Sequence, residues 1–148
     1  MAKAERLYIF PFNGNGIEAL LVNEMFIQGV TVSYHGGDGI KLDRCYEDPR
    51  VSDCLITYNK QTGLNLPGCH DVVVSANQLE ENRDALHIFD GFNLCFTGNC
   101  VDDHLGDGVA ARASLLPGCD RWPDADDDRM GLDGCDHGCG RAAPHPTP

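Results

Sequence analysis

Short apolar runs recur along the first part of the chain, and glycine- and aspartate-rich turns separate them. Residues 7–12, 29–34, 52–58 and 71–76 have the β-branched and aromatic composition of strands. Residues 71–76 read DVVVSA, and three successive valines are typical of a strand that is covered on both faces. The four runs therefore predict a parallel sheet.

Two stretches have the spacing of amphipathic helices. In residues 16–26, apolar side chains recur at spacings of three and four, at Ile17, Leu20, Leu21 and Met25. Residues 78–89 read QLEENRDALHIF, and Asn77 and Glu80 stand before and within this stretch in a capping-box arrangement. The order β-α-β-β-β-α predicts an α/β fold for residues 1–90, a Rossmann-like parallel sheet with helices.

The amino-acid composition of the sequence changes after residue 90. Residues 91–119 contain glycine, aspartate, cysteine and isolated apolar positions, and they predict a short irregular or β-helix-like region. Residues 120–148 carry many aspartates, few aliphatic residues and a proline-rich end, a composition typical of poorly ordered tails. The sequence therefore predicts three segments, 1–90, 91–119 and 120–148.

Charge and cysteine content narrow the functional classes. The 148-residue chain has a formal net charge of -12, and its 11 lysines and arginines are scattered, which argues against nucleic-acid binding. No run of about 18 apolar residues is present, so we expect no membrane span. The N-terminus lacks the apolar core of a signal peptide. We therefore expect a cytoplasmic protein whose eight cysteines are not disulfide-bonded.

The turn Asn13-Gly14-Asn15-Gly16 is the first candidate site. Between a strand and a helix, the backbone of Gly14, Asn15 and Gly16 could hold a phosphate. Asp38 follows about 20 residues later, where an acidic residue meets a ribose hydroxyl in nucleotide-binding folds. The alternative is that the glycines only permit positive φ and that Asp38 is a solvated turn aspartate.

Residues 5–90 resemble the N-terminal domain of the bacterial sugar O- and N-acyltransferases, which acetylate sialic acid or amino-sugar nucleotides. The segments GNGIEAL, FIQGVTVSYHGGDG and DVVVSANQLEENRDAL carry this resemblance. Within residues 94–119, LGDGV and ARASLLPGC are similar to coils of the left-handed hexapeptide β-helix that follows in that family. The resemblance implies acetyl-CoA as acetyl donor, a nucleotide-linked sugar bound at Gly14, Asn15, Gly16 and Asp38, and a homotrimer.

His104 is the candidate catalytic residue under this resemblance. The segment TGNCVDDH is similar to the one that bears the catalytic histidine in the acyltransferases. The resemblance implies that His104 is the general base on a sugar hydroxyl or amine, with Asp103 or Asp102 orienting the imidazole. One alternative is an exposed loop histidine. Another is a non-catalytic nucleotide- or sugar-binding module that has lost the acyltransferase site.

Two further alternatives rest on cysteines. Cys135, His137 and Cys139 lie within five residues and suggest zinc, but the spacing is not that of a zinc finger, and an unstructured acidic tail is the competing interpretation. Cys69 and His70 are adjacent, although catalytic dyads are built in space rather than along the chain. We assign no metal site from the sequence.

Overall fold

Short strands from five successive turns of the chain form three parallel sheets. The structure, a computed structural model, describes residues 2–5, 8–9, 11 and 13–112. Each turn supplies one strand to each sheet. The strands are β1 (Ala2–Glu5), β2 (Tyr8–Ile9), β3 (Ile17–Leu20), β4 (Met25–Gln28), β5 (Thr31–Ser33), β6 (Ile40–Asp43), β7 (Arg50–Ser52), β8 (Leu55–Thr57), β9 (Thr62–Pro67), β10 (Val73–Ser75), β11 (Gln78–Glu80), β12 (Asp84–Phe89), β13 (Cys95–Thr97), β14 (Cys100–Asp102) and β15 (Val109–Arg112).

Neighbours within each sheet come from successive turns of the chain. The first sheet has the order β1-β4-β7-β10-β13, the second β2-β5-β8-β11-β14 and the third β3-β6-β9-β12-β15. Phe26 pairs with Arg50, Arg50 with Val73 and Val73 with Cys95, so successive coils take 24, 23 and 22 residues. The chain is therefore a parallel β-solenoid, in which each coil is stacked on the one before it.

The core is a set of aliphatic rows that run along the solenoid axis. Alternate side chains of each strand point inward, and equivalent positions of neighbouring coils stack on one another at about 4.8 Å. The inward rows are Ile27, Val51 and Val74; Val32, Ile56 and Leu79; Ile40, Leu64 and Leu86; and Leu42, Leu66 and Ile88. Burial of each such side chain contributes about 1.5–3 kcal/mol, so the interior alone favours the coiled arrangement.

Each coil bends at corners where one residue takes a left-handed backbone conformation. At the corner after the second sheet, φ is 64° at Tyr34, 56° at Tyr58, 48° at Glu81 and 55° at Asp103. Positive φ breaks the extended direction of the strand, at a cost of about 1–3 kcal/mol for a residue with a side chain. The same conformation in each coil places the next strand at the same angle, which keeps the three sheets in register.

The Rossmann-like α/β fold is wrong, because the described residues contain no helix. Residues 16–26 form β3 and the start of β4 instead. The apparent helical spacing depended on Leu20 and Leu21, yet these side chains are 54% and 59% exposed at a corner. The inward side chains of this region are Ala19 and Met25, which belong to two different strands.

The second expected helix, residues 78–89, is also a pair of strands. It divides into β11 and β12 at a corner where Glu81 has a φ of 48°. Asn77 caps no helix. Its Nδ2 donates to the Val51 carbonyl at 2.9 Å, and its Oδ1 accepts from the Cys54 N–H at 3.0 Å. The asparagine does bond to backbone groups, as the capping interpretation required, but these groups belong to the neighbouring coil.

Two of the segments that were expected to be strands do contain strands. Residues 29–34 contain β5, and residues 71–76 contain β10. The β-helix-like character expected for residues 91–119 is confirmed in coarse form over residues 91–112, and the same coils begin at the N-terminus. The three sheets pass through residue 90 without interruption, since β12 pairs with β15. The expected tail, residues 120–148, lies outside the described residues.

Candidate functional site

A row of buried and half-buried polar side chains follows the corner between the second and third sheets. Its members, one from each of four coils, are His35, Asn59, Asn82 and His104. Asn82 Oδ1 accepts from the backbone N–H and from the Nδ2 of Asn59, at 3.0 and 2.9 Å. Asn82 Nδ2 donates to the Ile56 carbonyl at 2.8 Å. The Asn82 amide thus bonds within the corner through both its oxygen and its nitrogen, which indicates a structural role. We call His35, Asn59, Asn82 and His104 the amide row.

A second polar row, the carboxylate row, lies at the start of the third sheet. Its members are Asn15, Asp38, Thr62, Asp84 and Asp107. Asp38 Oδ1 accepts from the Thr62 N–H at 3.0 Å, and Asp84 Oδ1 accepts from the Asp107 N–H at 2.9 Å. A carboxylate has no proton to donate to a carbonyl. Its second oxygen is therefore left to bond with other side chains.

The second oxygens of Asp38 and Asp84 bond with side chains on the outer face of the third sheet. Asp38 Oδ2 accepts from Asn65 Nδ2 at 2.8 Å. Asp84 Oδ2 lies 3.5 Å from His87 Nε2 and 3.4 Å from Arg83 Nε. The carboxylate row thus fixes an amide, an imidazole and a guanidinium group, all on one face of the solenoid.

His87 is in contact through both ring nitrogens. Its Nδ1 lies 3.2 Å from Thr62 Oγ1, and its Nε2 faces Asp84. If Nε2 carries the proton towards the carboxylate, the Nδ1 lone pair accepts from the hydroxyl of Thr62. The His87 side chain is 36% exposed. A carboxylate, an imidazole and a hydroxyl therefore stand in sequence, and the contacts of both ring nitrogens fix the orientation of a partly exposed imidazole.

These side chains line an open cleft of about 330 Å³ on the outer face of the third sheet, which we call the third-sheet cleft. Asn65, Arg83, Asp84, His87 and Phe89 belong to its lining. The ring of Phe89 is 56% exposed. The cleft combines a flat apolar ring with fixed hydrogen-bonding groups, an arrangement suited to a ligand with an apolar face and many hydroxyl groups.

The residues of the glycine turn lie at the first rung of the carboxylate row. Asn15 Oδ1 accepts from the Asp38 N–H at 2.8 Å, and the Gly16 N–H donates to the Asp38 carbonyl at 2.9 Å. The Gly14 carbonyl accepts from the Gly37 N–H at 3.0 Å. A Cβ at Gly16 would lie 2.4 Å from Val32 Cγ1, so close packing requires this glycine. The structure brings Gly14, Asn15, Gly16 and Asp38 together, but without the helix on which the phosphate interpretation depended.

His104 lies at the last described rung of the amide row. Its Nδ1 is 3.3 Å from the Asn82 carbonyl, and its Nε2 is 3.1 Å from the Leu79 carbonyl. Both contacts are to backbone acceptors of the preceding coil, as expected of a residue that caps that coil. Asp102 and Asp103 are exposed beside it, and no contact between either carboxylate and the His104 ring is observed. The catalytic role of His104 and Asp103 stays a prediction.

Cys69 and His70 do not face one another as a catalytic dyad. Cys69 is buried, and its Sγ lies 2.9 Å from the Leu42 carbonyl. Burial raises the pKa of the Cys69 thiol to about 11, which keeps it protonated at neutral pH. His70 is exposed and packs between the rings of Tyr46 and Phe92, with centroids 4.9 and 5.9 Å away. Cys69 is therefore a core residue.

Sequence reasoning missed Asp84, His87, Thr62 and Asn65. It placed Asp84 and His87 on an expected helix, where nothing indicated that the two side chains act together. The signal that could have found them is the coil length. Asp38, Asp84 and Asp107 are 46 and 23 residues apart along the chain, which is two coils and one coil of this solenoid. The interval that had suggested a ribose-binding aspartate is likewise one coil, from Asn15 to Asp38.

The comparisons with known proteins agree with this architecture. A family model described as a right-handed β-helix region matches residues 5–114. The chain belongs to the right-handed β-helix family. This finding corrects the left-handed hexapeptide winding implied by the acyltransferase resemblance, while its coarser part, a parallel β-helix, is confirmed. Neither the curated proteins nor the solved structures give a match.

The described residues also bear on two classes raised by the sequence, membrane proteins and metal-binding proteins. No helix within the described ranges is long and apolar enough to cross a membrane. In the same part of the β-helix, no group of three or more histidine, cysteine, aspartate or glutamate side chains could hold a metal ion. The Cys135, His137 and Cys139 cluster lies outside the described residues.

Proposed function

We propose that this β-helix protein binds a neutral oligosaccharide in the third-sheet cleft. The observation that carries the proposal is the exposed Phe89 ring beside polar groups whose orientations are already fixed by Asp38 and Asp84. Sugars present C–H groups on one face and hydroxyls at their edges, so a ring and a set of donors and acceptors bind them together. Groups that are fixed before binding lose little entropy when the ligand arrives.

The charge of the cleft favours a neutral ligand. Arg83 and the carboxylate of Asp84 lie 3.4 Å apart and offset one another. Asp107 adds a further carboxylate to the lining. The chain as a whole carries a net charge of -12, so it repels polyanions at a distance. A hydroxyl-rich ligand needs no compensating charge, and carboxylate, amide and imidazole groups all bond with hydroxyls.

Calorimetric titration with cellohexaose and xylohexaose tests this proposal. We expect saturable binding to at least one, and binding about tenfold weaker or worse for His87→Ala and for Phe89→Ala, since each removes a contact of about 1.4 kcal/mol. Gln28→Ala is the matched control, because Gln28 is an exposed residue on the outer face of the first sheet. The absence of saturable heat with both sugars, or equal weakening by Gln28→Ala, would contradict the proposal.

Acetyl transfer from acetyl-CoA to a sugar or nucleotide-linked amino sugar is the second candidate. A parallel β-helix is compatible with the hexapeptide acyltransferases, and His87 supplies an exposed imidazole in contact with a carboxylate. Incubation with acetyl-CoA and a UDP-linked amino sugar, followed by mass spectrometry of the sugar, tests it. Mass spectrometry is preferable to thiol detection because Cys95 is itself exposed.

Two variants distinguish the possible proton acceptors in that reaction. Loss of acetylated product with His104→Ala alone would favour the histidine implied by the resemblance. Loss with His87→Ala alone would favour the third-sheet cleft. If the wild-type protein forms no acetylated sugar, acetyl transfer is excluded for that substrate. Oligosaccharide binding is tested separately, by the calorimetric titration.

A further inference from the structure

Three aromatic side chains lie in a row at the corner between the third sheet and the first. They belong to Tyr46, His70 and Phe92, one from each of three successive coils, and we call them the aromatic ladder. His70 pairs with Phe92 in a parallel bridge, and the His70 N–H donates to the Cys45 carbonyl at 3.2 Å, so the backbone holds the row in register. Phe92 is 60% exposed, His70 is exposed and Tyr46 is half-buried. The ladder is therefore an aromatic surface about 10 Å long that is open to solvent.

The angles between the rings leave part of their faces uncovered. The Tyr46 and His70 planes are 55° apart, and the His70 and Phe92 planes are 71° apart. The other exposed pair, Tyr34 and Tyr58, has planes 2° from parallel and centroids 4.8 Å apart, so its facing sides cover one another. The aromatic ladder thus offers ring faces to a ligand, and an aromatic face carries the negative part of the ring quadrupole.

Carboxylates flank the aromatic ladder. Glu47 and Asp48 directly follow Tyr46 in the chain, and Asp71 directly follows His70. All three acidic residues are at the left-handed corner, each with a φ of 59°. The Asp71 N–H donates to the carbonyl of the last ladder residue at 2.9 Å, which places Asp71 beside two rungs of the ladder.

The basic groups that are nearest to Tyr46 along the chain do not offset these carboxylates. Arg44 Nε lies 2.8 Å from Asp43 Oδ1, so its charge is already matched. Arg50 lies beyond the corner, on the outer face of the first sheet. Among the described residues of this corner, acidic side chains therefore outnumber basic ones, and the ladder has the charge to attract a cation.

We propose that the aromatic ladder binds a small quaternary ammonium cation. The methyl groups of such a cation pack on the ring faces, and its positive charge is attracted by the rings and by the carboxylates of Glu47 and Asp71. A metal ion is a poorer match, because the part of the chain that the structure describes has no group of three side chains that could hold one. The site is independent of oligosaccharide binding, since the ladder lies at a corner and the third-sheet cleft lies on a sheet face.

The probes are choline and 3,3-dimethylbutan-1-ol, titrated into the full labelled chain at low salt and followed by nuclear magnetic resonance. The two molecules have nearly the same shape, but the alcohol has a carbon in place of the ammonium nitrogen and carries no charge. We expect choline to shift the backbone signals of Tyr46, His70 and Phe92 in a saturable manner. The alcohol should give no saturable shift.

Two variants separate the rings from the carboxylates. Phe92→Leu should weaken choline binding about threefold or more, because it replaces an exposed ring by an aliphatic side chain. Asp71→Asn should also weaken it, because it removes a charge, while asparagine tolerates the left-handed conformation. Tyr34→Leu is the matched control, since it removes a ring of similar exposure from the parallel pair and should leave the affinity unchanged. Thermal unfolding of each variant reports whether the fold is intact.

Three outcomes would overturn the proposal. The first is the absence of saturable shifts when choline is added to the wild-type chain. The second is an equal response to the uncharged alcohol, which would show adsorption to an apolar surface without recognition of charge. The third is equal weakening by Phe92→Leu and Tyr34→Leu, which would show binding to exposed rings in general.

Discussion

The amide row and the carboxylate row lie two residues apart in the coil and both bond to the backbone of a neighbouring coil, but their remaining polar atoms have different partners. Asn82 and Asp84 are two residues apart, and each accepts a backbone N–H with one oxygen. The second polar atom of Asn82 donates to a carbonyl inside the corner. The second oxygen of Asp84 faces His87 and Arg83 in the third-sheet cleft.

This difference follows from the chemistry of the two side chains. An amide both accepts and donates, so it satisfies the N–H and the carbonyl groups of a buried corner. A carboxylate only accepts, so buried carbonyls repel it and its remaining oxygen is left for outward-facing donors. Asn59 and Asn82 therefore bond only within the corner, whereas the second oxygens of Asp38 and Asp84 bond with side chains on the outer face.

The two single substitutions Asn82→Asp and Asp84→Asn should show the largest difference between the amide row and the carboxylate row. Asn82→Asp replaces a buried donor by a charge facing the Ile56 carbonyl, and we expect it to lower the free energy of unfolding by about 4 kcal/mol. Asp84→Asn keeps an acceptor for the Asp107 N–H and should cost about 1 kcal/mol or less. Urea unfolding of both variants measures the difference. Equal losses would contradict the assignment of the two rows.

Asp84→Asn should have a small effect on stability but a large effect on ligand binding. Its amide no longer attracts His87 and Arg83 by charge, so the polar groups of the cleft lose their fixed orientation. We expect about tenfold weaker oligosaccharide binding by calorimetry, with the fold retained. Asn99 is buried and bonds to the Asn77 N–H and the Val74 carbonyl, outside the cleft, so Asn99→Ala should lower stability without changing the affinity of the folded fraction.

His35 sharpens the comparison within the amide row. It occupies the position of Asn59 and Asn82, and burial lowers its pKa. The unfolded chain therefore binds a proton at His35 at a higher pH than the folded chain does, and stability falls as pH drops below about 6.5. We expect His35→Asn to reduce this loss of stability between pH 7 and pH 5, measured by urea unfolding. An unchanged pH dependence would exclude His35 as its source.

The cysteines give the smallest effect, one of reactivity rather than stability. Cys69 is buried with a pKa of about 11, whereas Cys95 is exposed. At neutral pH the raised pKa alone reduces the thiolate fraction of Cys69 about 100-fold relative to an ordinary thiol. Iodoacetamide labelling followed by peptide mass spectrometry should modify Cys95 first and Cys69 only after denaturation. Equal rates in the folded protein would contradict the placement of Cys69 in the core.

Local patterns were enough to predict single strands but not the fold. The valines of β10 and the GVTVSY run around β5 carry their own β-branched signal. The helix over residues 16–26 was wrongly predicted because Leu20 and Leu21 complete a helical spacing of apolar residues, although both are exposed at a corner. The β-helix itself depends on pairings 22–24 residues apart, and the repeat is degenerate, with His35 and His104 in the row of Asn59 and Asn82.

The candidate site was only partly within reach of the sequence for the same reason. Asp38 was singled out because it follows the glycine turn by about 20 residues, and its N–H donates to Asn15 Oδ1 at 2.8 Å. Its role in ligand binding stays a prediction. Asp84 pairs with Thr62, and His87 contacts the Thr62 hydroxyl, although Thr62 lies 22 and 25 residues before them, on the preceding coil. No local motif relates an imidazole to a hydroxyl on the preceding coil.

Nuclear magnetic resonance of the labelled protein during titration with cellohexaose or xylohexaose tests the central claim most directly, because it reports the third sheet and the first sheet at once. Oligosaccharide binding in the third-sheet cleft should shift the backbone signals of Asn65, His87 and Phe89 in a saturable manner. The signals of Phe26 and Ser52, which belong to the first sheet, should not shift. Saturable shifts confined to the first sheet, or no saturable shift with either sugar, would contradict the account.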